Sequence, residues 1–182
     1  WPVILTAGVR LGAPWLVNPL IGSLLVVLIY RFARHLFDED TARLASLLAA
    51  FSPYLIIMNS TMMSHTSCAA ASFLFLILIL KSLERKSSIL AFWAFLFLGI
   101  GISIRPFSAA LVALPGLGLI LLKLRELRLK IFSLGMGSAL GLSIPLSLLL
   151  YYNHLTTGSA LLFGYQYLNG RAADLGFGMR QF

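Results

Sequence analysis

The chain reads as long apolar stretches cut at intervals by short charged clusters. Six stretches stand out, running from about Pro14 to Tyr30, Leu44 to Met58, Ser67 to Leu80, Ile89 to Ile104, Phe107 to Leu122 and Ile131 to Tyr152. A short interfacial piece, Val3 to Val9, precedes the first. Charge gathers between such runs when lipid is the solvent. The pattern therefore predicts an all-α, polytopic transmembrane helix bundle of about six helices. Several stretches fall short of the ~20 residues a perpendicular helix needs, which extension into the flanks or burial among neighbouring helices would accommodate. Pro53, Pro115 and Pro145 are expected to kink their helices, as membranes tolerate. Gly137 and Gly141 form a Gly-x-x-x-Gly pair, and Gly99 and Gly101 lie together in the fourth stretch, which suits close helix packing. No G-x-G-x-x-G follows a strand to suggest a nucleotide loop, and no internal repeat marks a transporter's paired halves.

Composition agrees and removes other classes. Of 182 residues, 59% are hydrophobic and 11% charged, and the mean hydropathy is +0.93. A soluble domain needs more surface charge than that. The net charge of +8 would suggest nucleic acid in a soluble protein, but here the basic residues sit at the ends of apolar runs, so topology explains them and no nucleic-acid partner is expected. The basic residues also alternate by connection. Arg31, Arg34 and Arg43, then Lys81, Arg85 and Lys86, then Lys123, Arg125, Arg128 and Lys130 put ten on one side; Arg10, Arg105, Arg171 and Arg180 leave four on the other. The positive-inside rule makes the rich side cytoplasmic. Residues 1–152 are thus expected to form the bundle and 153–182 an extracytoplasmic tail, with the N-terminus also outside. Opening on Trp1-Pro2 and ending on Gln181-Phe182, the chain reads as a piece of a longer protein, missing sequence at both ends.

Few polar residues remain for the outer side. Arg10, His65, Arg105, His154, Arg171, Asp174 and Arg180 are its ionisable set, and Asp174 is its single carboxylate. A pair of acids for proton transfer is missing there. Arg105 lies between Gly99-Ile100-Gly101-Ile102-Ser103-Ile104 and Pro106, where two helices should meet. A charge there is costly unless it is paired or faces a wet cavity. Arg suits bidentate phosphate binding, and it also serves as an anchor that snorkels to headgroups; both readings stay open. His65, at the outer end of the third stretch, could bond an anionic or sugar ligand, help hold a metal, or be an interfacial histidine satisfied by water. Cys68 at i+3 is a weak metal partner without others. Asn153 closes the last stretch. Tyr165 and Asp174 lie in a glycine-rich polar tail that could cradle a sugar or be a loop out of context. No cofactor and no metal site are indicated, although the chemistry leaves room for a divalent ion.

A family resemblance emerges from an ordered series of motifs. It begins with Trp15-Leu16-Val17-Asn18-Pro19-Leu20-Ile21-Gly22 and Tyr30-Arg31-Phe32-Ala33-Arg34-His35-Leu36-Phe37. Then follow Ala49-Ala50-Phe51-Ser52-Pro53-Tyr54, Met63-Ser64-His65 and Ser103-Ile104-Arg105-Pro106. Tyr152-Asn153, Thr157-Gly158-Ser159 and Leu175-Gly176-Phe177-Gly178 complete it. In this order the series resembles the middle transmembrane portion of membrane glycosyltransferases of the protein-mannosyltransferase, aminoarabinose-transferase-like superfamily (the GT-C fold), over nearly the whole chain. The resemblance implies inverting transfer of a sugar from a polyprenyl-phosphate donor to a glycan, lipid or protein acceptor on the outer face, within membrane lipid. It implies a catalytic Asp in an outer loop upstream of this region, so the catalytic residue is expected outside the chain and the piece alone should be inactive. It places Arg105 near the carrier phosphate and His65 at the cavity mouth, with Asn153, Tyr165 and Asp174 as further substrate-binding candidates. The competing readings are a lipid or solute transporter or flippase, which would favour polar groups near the bilayer centre, and a structural scaffold, which needs no outer polar cluster.

Overall fold

In the computed structural model, residues 2–123 and 130–163 are described. Among them the chain is helical throughout, without strands. Helix α1 spans Pro2–Arg10, a 3-10 turn follows at Pro14–Leu16, and α2 spans Val17–Leu36. Helices α3 (Glu39–Ala50) and α4 (Pro53–Ser60) come next, then α5 (His65–Arg85), α6 (Ser88–Ile104), α7 (Pro106–Leu122) and α8 (Ile131–Thr157). By length and apolarity α2 with its 3-10 lead, α5 and α8 can each cross a membrane, and α3 with α4 make a fourth if a 52° bend is one span. The helices α6 and α7 are apolar but shorter, at 17 residues each, or roughly 25 Å of helix.

The bend in the second apolar stretch departs from the continuous run read from Leu44 to Met58. Ser52 is extended (φ −65°, ψ 120°) and Pro53 opens α4. A residue before proline is pushed out of the helical region, and proline is at home in a first helical turn. The stretch therefore breaks into two helices instead of kinking one. The same rule operates at Arg105, which is extended (φ −147°, ψ 91°) ahead of Pro106. It is the single residue between α6 and α7. Its N–H closes α6 on the Gly101 carbonyl (2.8 Å), and its own carbonyl receives the Ala109 N–H (3.1 Å) to open α7.

Packing explains the order of helices. Phe75 and Ile79 of α5, Ala91, Ala94, Phe95 and Leu98 of α6, Ala113 of α7 and Leu134 of α8 form the central core. Phe75 meets Phe95 edge to face, with ring centroids 5.7 Å apart, a favoured aromatic geometry. A smaller cluster of Leu28, Ala70 and Ile77 joins α2 to α5. α6 and α8 run parallel: Gly137 abuts the Ser88 carbonyl and Gly141 the Phe92 carbonyl, while Gly99 abuts Pro145. Gly137 and Gly141 thus face backbone atoms of the partner helix, where no side chain would fit, while Gly99 and Gly101 meet side chains, those of Pro145 and Ala109. Large apolar residues such as Leu111, Leu114, Leu121, Leu140 and Leu148 point outward, as helices in lipid allow.

Charges collect at one end of this bundle. Glu39 pairs with Arg34 (2.8 Å) and Arg43 (3.3 Å), and His35 reaches Glu84 (2.9 Å). The Tyr30 hydroxyl donates to Glu39 at 2.5 Å. At the end of α5, Lys86 adopts the left-handed conformation (φ 49°), and the Ser87 N–H returns to the Ser82 carbonyl at 3.1 Å. The four described carboxylates, Asp38, Glu39, Asp40 and Glu84, all lie at this end. His65 begins the 21-residue α5 and so sits about 30 Å away.

Candidate functional site

The end remote from those charges holds the cluster of interest. α5 and α6 form a helical hairpin with a short turn at Lys86–Ser87. His65 starts the first arm and Arg105 follows the second, so folding the hairpin brings them together. The Arg105 guanidinium, half-buried, places Nη1 against both ring nitrogens of His65, with Nε2 at 2.7 Å. Arg has only donors, so the imidazole accepts through its unprotonated nitrogen, and a neutral ring has just one such nitrogen to offer.

This pair sits where two cavities meet. One, of about 550 Å³, is lined by the 62–65 loop and by Ile104 to Ser108. The other, of about 370 Å³, runs between α5 and α7 past Cys68, Ser72, Phe73, Leu76 and Val112. His65, Arg105 and Ser108 belong to both linings. The first cavity also receives two helix N-termini, those of α5 and α7. The first turns of helices carry N–H groups without intrahelical acceptors and a partial positive charge. Together with the guanidinium they make a positive pocket. Among the described residues no carboxylate pairs with Arg105. Such a pocket suits a phosphate or another anion. Among the described residues, no three His, Cys, Asp or Glu side chains converge on a metal position.

The other candidates fall elsewhere. Asn153 is buried but lines neither cavity; its Nδ2 donates to the Ala160 carbonyl (3.2 Å), while its own carbonyl accepts the Thr157 hydroxyl (2.8 Å). It braces the turn that ends α8 at Gly158, whose φ is +76°. Tyr165 and Asp174 lie outside the described residues.

The structure adds polar groups that sequence reasoning did not single out. Asn18 at the start of α2 is 4% exposed, and Thr66 beside His65 is 2% exposed. The Thr66 hydroxyl donates to Asn59 Oδ1 at 2.9 Å, and Asn18 Nδ2 donates to the Met63 carbonyl at 2.9 Å and also to that of Thr61. An amide inside an apolar run is a signal in its own right, since polar groups at membrane depth demand partners. The partners of Asn18, more than forty residues away, could not be read from spacing.

Residues 5–151 match the family described as dolichyl-phosphate-mannose-protein mannosyltransferase. No curated protein and no solved structure matches the chain.

Proposed function

The chain belongs to the dolichyl-phosphate-mannose-protein mannosyltransferase family, a family of membrane glycosyltransferases, and we propose that it transfers a sugar from a polyprenyl-phosphate donor to an acceptor on the extracytoplasmic face. The observation that carries this is Arg105: a half-buried guanidinium at two converging helix N-termini, without a carboxylate partner among the described residues. The carrier phosphate supplies the missing anion. As the sugar C1–O bond breaks, its electron pair passes to the phosphate oxygen, and Arg105 stabilises the charge that develops there. The acceptor oxygen forms the new bond to C1, and its proton passes to a base. No described carboxylate lines this cavity, so the base comes from another part of the protein, as the family resemblance implies. His65 holds the guanidinium in place before the donor arrives and can bond a phosphate or sugar oxygen afterwards.

The excess of basic residues at the opposite end of the bundle supports the outward orientation of this cavity. The polar groups gather at helix ends instead of mid-membrane, which suits interfacial chemistry better than transport.

The test is transfer from a polyprenyl-phosphate sugar by the full-length protein carrying Arg105→Ala. Loss of a preorganised donor to a developing oxyanion reduces turnover by about a hundredfold or more. Arg105→Lys, which keeps the charge but not the fork, should recover part of it. Unchanged turnover in Arg105→Ala at both limiting and saturating donor would overturn the assignment.

A further inference from the structure

We propose that Asn18 is a positioning residue for the donor site: it fixes the 61–64 loop from behind and thereby sets His65 against Arg105. The proposal rests on the reading of Arg105 as the phosphate site.

The loop between α4 and α5 is the least regular part of the cavity wall. Met62, Met63 and Ser64 of this loop face the cavity, and His65 follows at once as the first residue of α5. Its backbone has no helix or sheet to satisfy it, yet two of its carbonyls, those of Thr61 and Met63, are taken by the one amide of Asn18. Asn18 comes from α2, more than forty residues earlier, and lines neither cavity that Arg105 shares. It therefore acts on any ligand only through the loop.

A second grip works in parallel. Gly22, one turn further along α2 on the same face, stands so close to Asn59 that any Cβ there would collide with the amide. That contact seats Asn59, whose Oδ1 holds the Thr66 hydroxyl at 2.9 Å. The α2 face thus holds the residues on both sides of His65, Met63 before it and Thr66 after it. A histidine at the frayed start of a helix would otherwise sample several rotamers, since first-turn residues lack half of their intrahelical bonds. With both flanks held, the ring stays within reach of Nη1. Asn18 Oδ1 has no partner among the described residues, so its two donated bonds are the reason for an amide at this buried position.

Two substitutions cut the support with little change of shape. Asn18→Asp removes both donors when ionised and leaves at most one when protonated, and Thr66→Val removes the hydroxyl. The measurement is binding of a short-chain polyprenyl phosphate to the purified full-length protein, per folded molecule, in wild type and in a His65→Ala background. The expected result is a weakening of about fivefold to tenfold for each variant alone. In the His65→Ala background the same changes should have less than about a twofold effect, because neighbours that act through one group are not additive. A purely structural role would lower thermal stability but leave per-molecule affinity unchanged, or shift it equally in both backgrounds. Either result, if shown by Thr66→Val as well as by Asn18→Asp, overturns the positioning role. Arg105→Ala separates the two claims. Wild-type binding in that variant overturns the phosphate reading itself, whereas weakened binding there beside unaffected Asn18→Asp and Thr66→Val overturns only the role of Asn18.

Discussion

The α6–α8 contact offers a sharp test of the packing, because one helix carries both the perturbation and its control. Gly135 and Gly141 lie in α8, six residues apart. A Cβ at Gly135 would have nothing within 4 Å, whereas one at Gly141 would run into the Phe92 carbonyl and stand 3.1 Å from the Leu96 amide nitrogen. Those neighbours are backbone, so no rotamer change relieves the clash and the helices must part. A separation on the order of 1 Å forfeits about a quarter to a half of the dispersion well at each contact along the seam. Overpacking of this kind costs about 1–3 kcal/mol. In water Gly135→Ala would gain about 1 kcal/mol of helix propensity. In a bilayer the separated helices are already formed before they associate, so that gain shrinks toward zero. Reversible unfolding in bicelles or mild detergent should therefore place Gly141→Ala about 1–3 kcal/mol below wild type and Gly135→Ala level with it or slightly above. Because α6 ends at Arg105, Gly141→Ala should also depress transfer, while Gly135→Ala should not. Equal stability of the two variants, within about 0.5 kcal/mol, would refute the close parallel packing.

Three further outcomes follow from the same geometry. His65→Ala should weaken polyprenyl-phosphate binding more than it slows the bound complex, and a drop in turnover alone would make His65 a participant in the chemistry instead of a holder of Arg105. Single cysteines placed at Ser159 and at Lys86 in a Cys68→Ala protein should react with an impermeant reagent from opposite faces, Ser159 from outside; the reverse labelling removes the outward orientation of the cavity. Hydrogen bonding from the Thr41 hydroxyl holds Asp38 below the ordinary carboxylate value. With the folded value depressed, its stabilisation is present above the unfolded pKa of about 3.9 and is lost as pH falls below that. The acid limb of a stability profile should therefore flatten in Asp38→Asn, and an unchanged limb would show that this turn does not contribute.

Much of the fold was legible because lipid makes hydropathy a strong signal. Each apolar stretch is occupied by a helix or, for the second, by the bent pair α3 and α4. The break at Ser52–Pro53 escaped the hydropathy pattern because Phe51, Tyr54 and Leu55 keep the run apolar while proline alone decides the backbone. The pairing of His65 with Arg105 was partly legible. Both were placed on the outer side, and in a helical hairpin turning near Lys86 they lie at similar distances from the turn. Their direct contact required the one-residue joint between α6 and α7. The grip of Asn18 on Thr61 and Met63 was not legible at all, because a hydrogen bond between segments more than forty residues apart leaves no periodicity in either.

The electrostatics of the cavity bear on which ligand belongs there. A guanidinium between apolar helices is costly, and the usual remedy is a carboxylate. The described carboxylates are instead held about a helix length away, where Glu39 is engaged with Arg34 and Arg43 and Glu84 with His35. His65 offers Arg105 a lone pair but no compensating charge, and the starts of α5 and α7 add further positive potential. A neutral solute would leave that potential in place and a cation would meet repulsion from it. A phosphate relieves it at once, accepting from the guanidinium and from first-turn N–H groups. Binding a phosphate would thus compensate a guanidinium that has no carboxylate partner among the described residues, and a leaving group whose negative charge grows during transfer would gain more in the transition state than in the ground state. That difference is the condition for catalysis. It favours a cavity built for a phosphate-linked donor over one built to pass a neutral or cationic solute across the membrane.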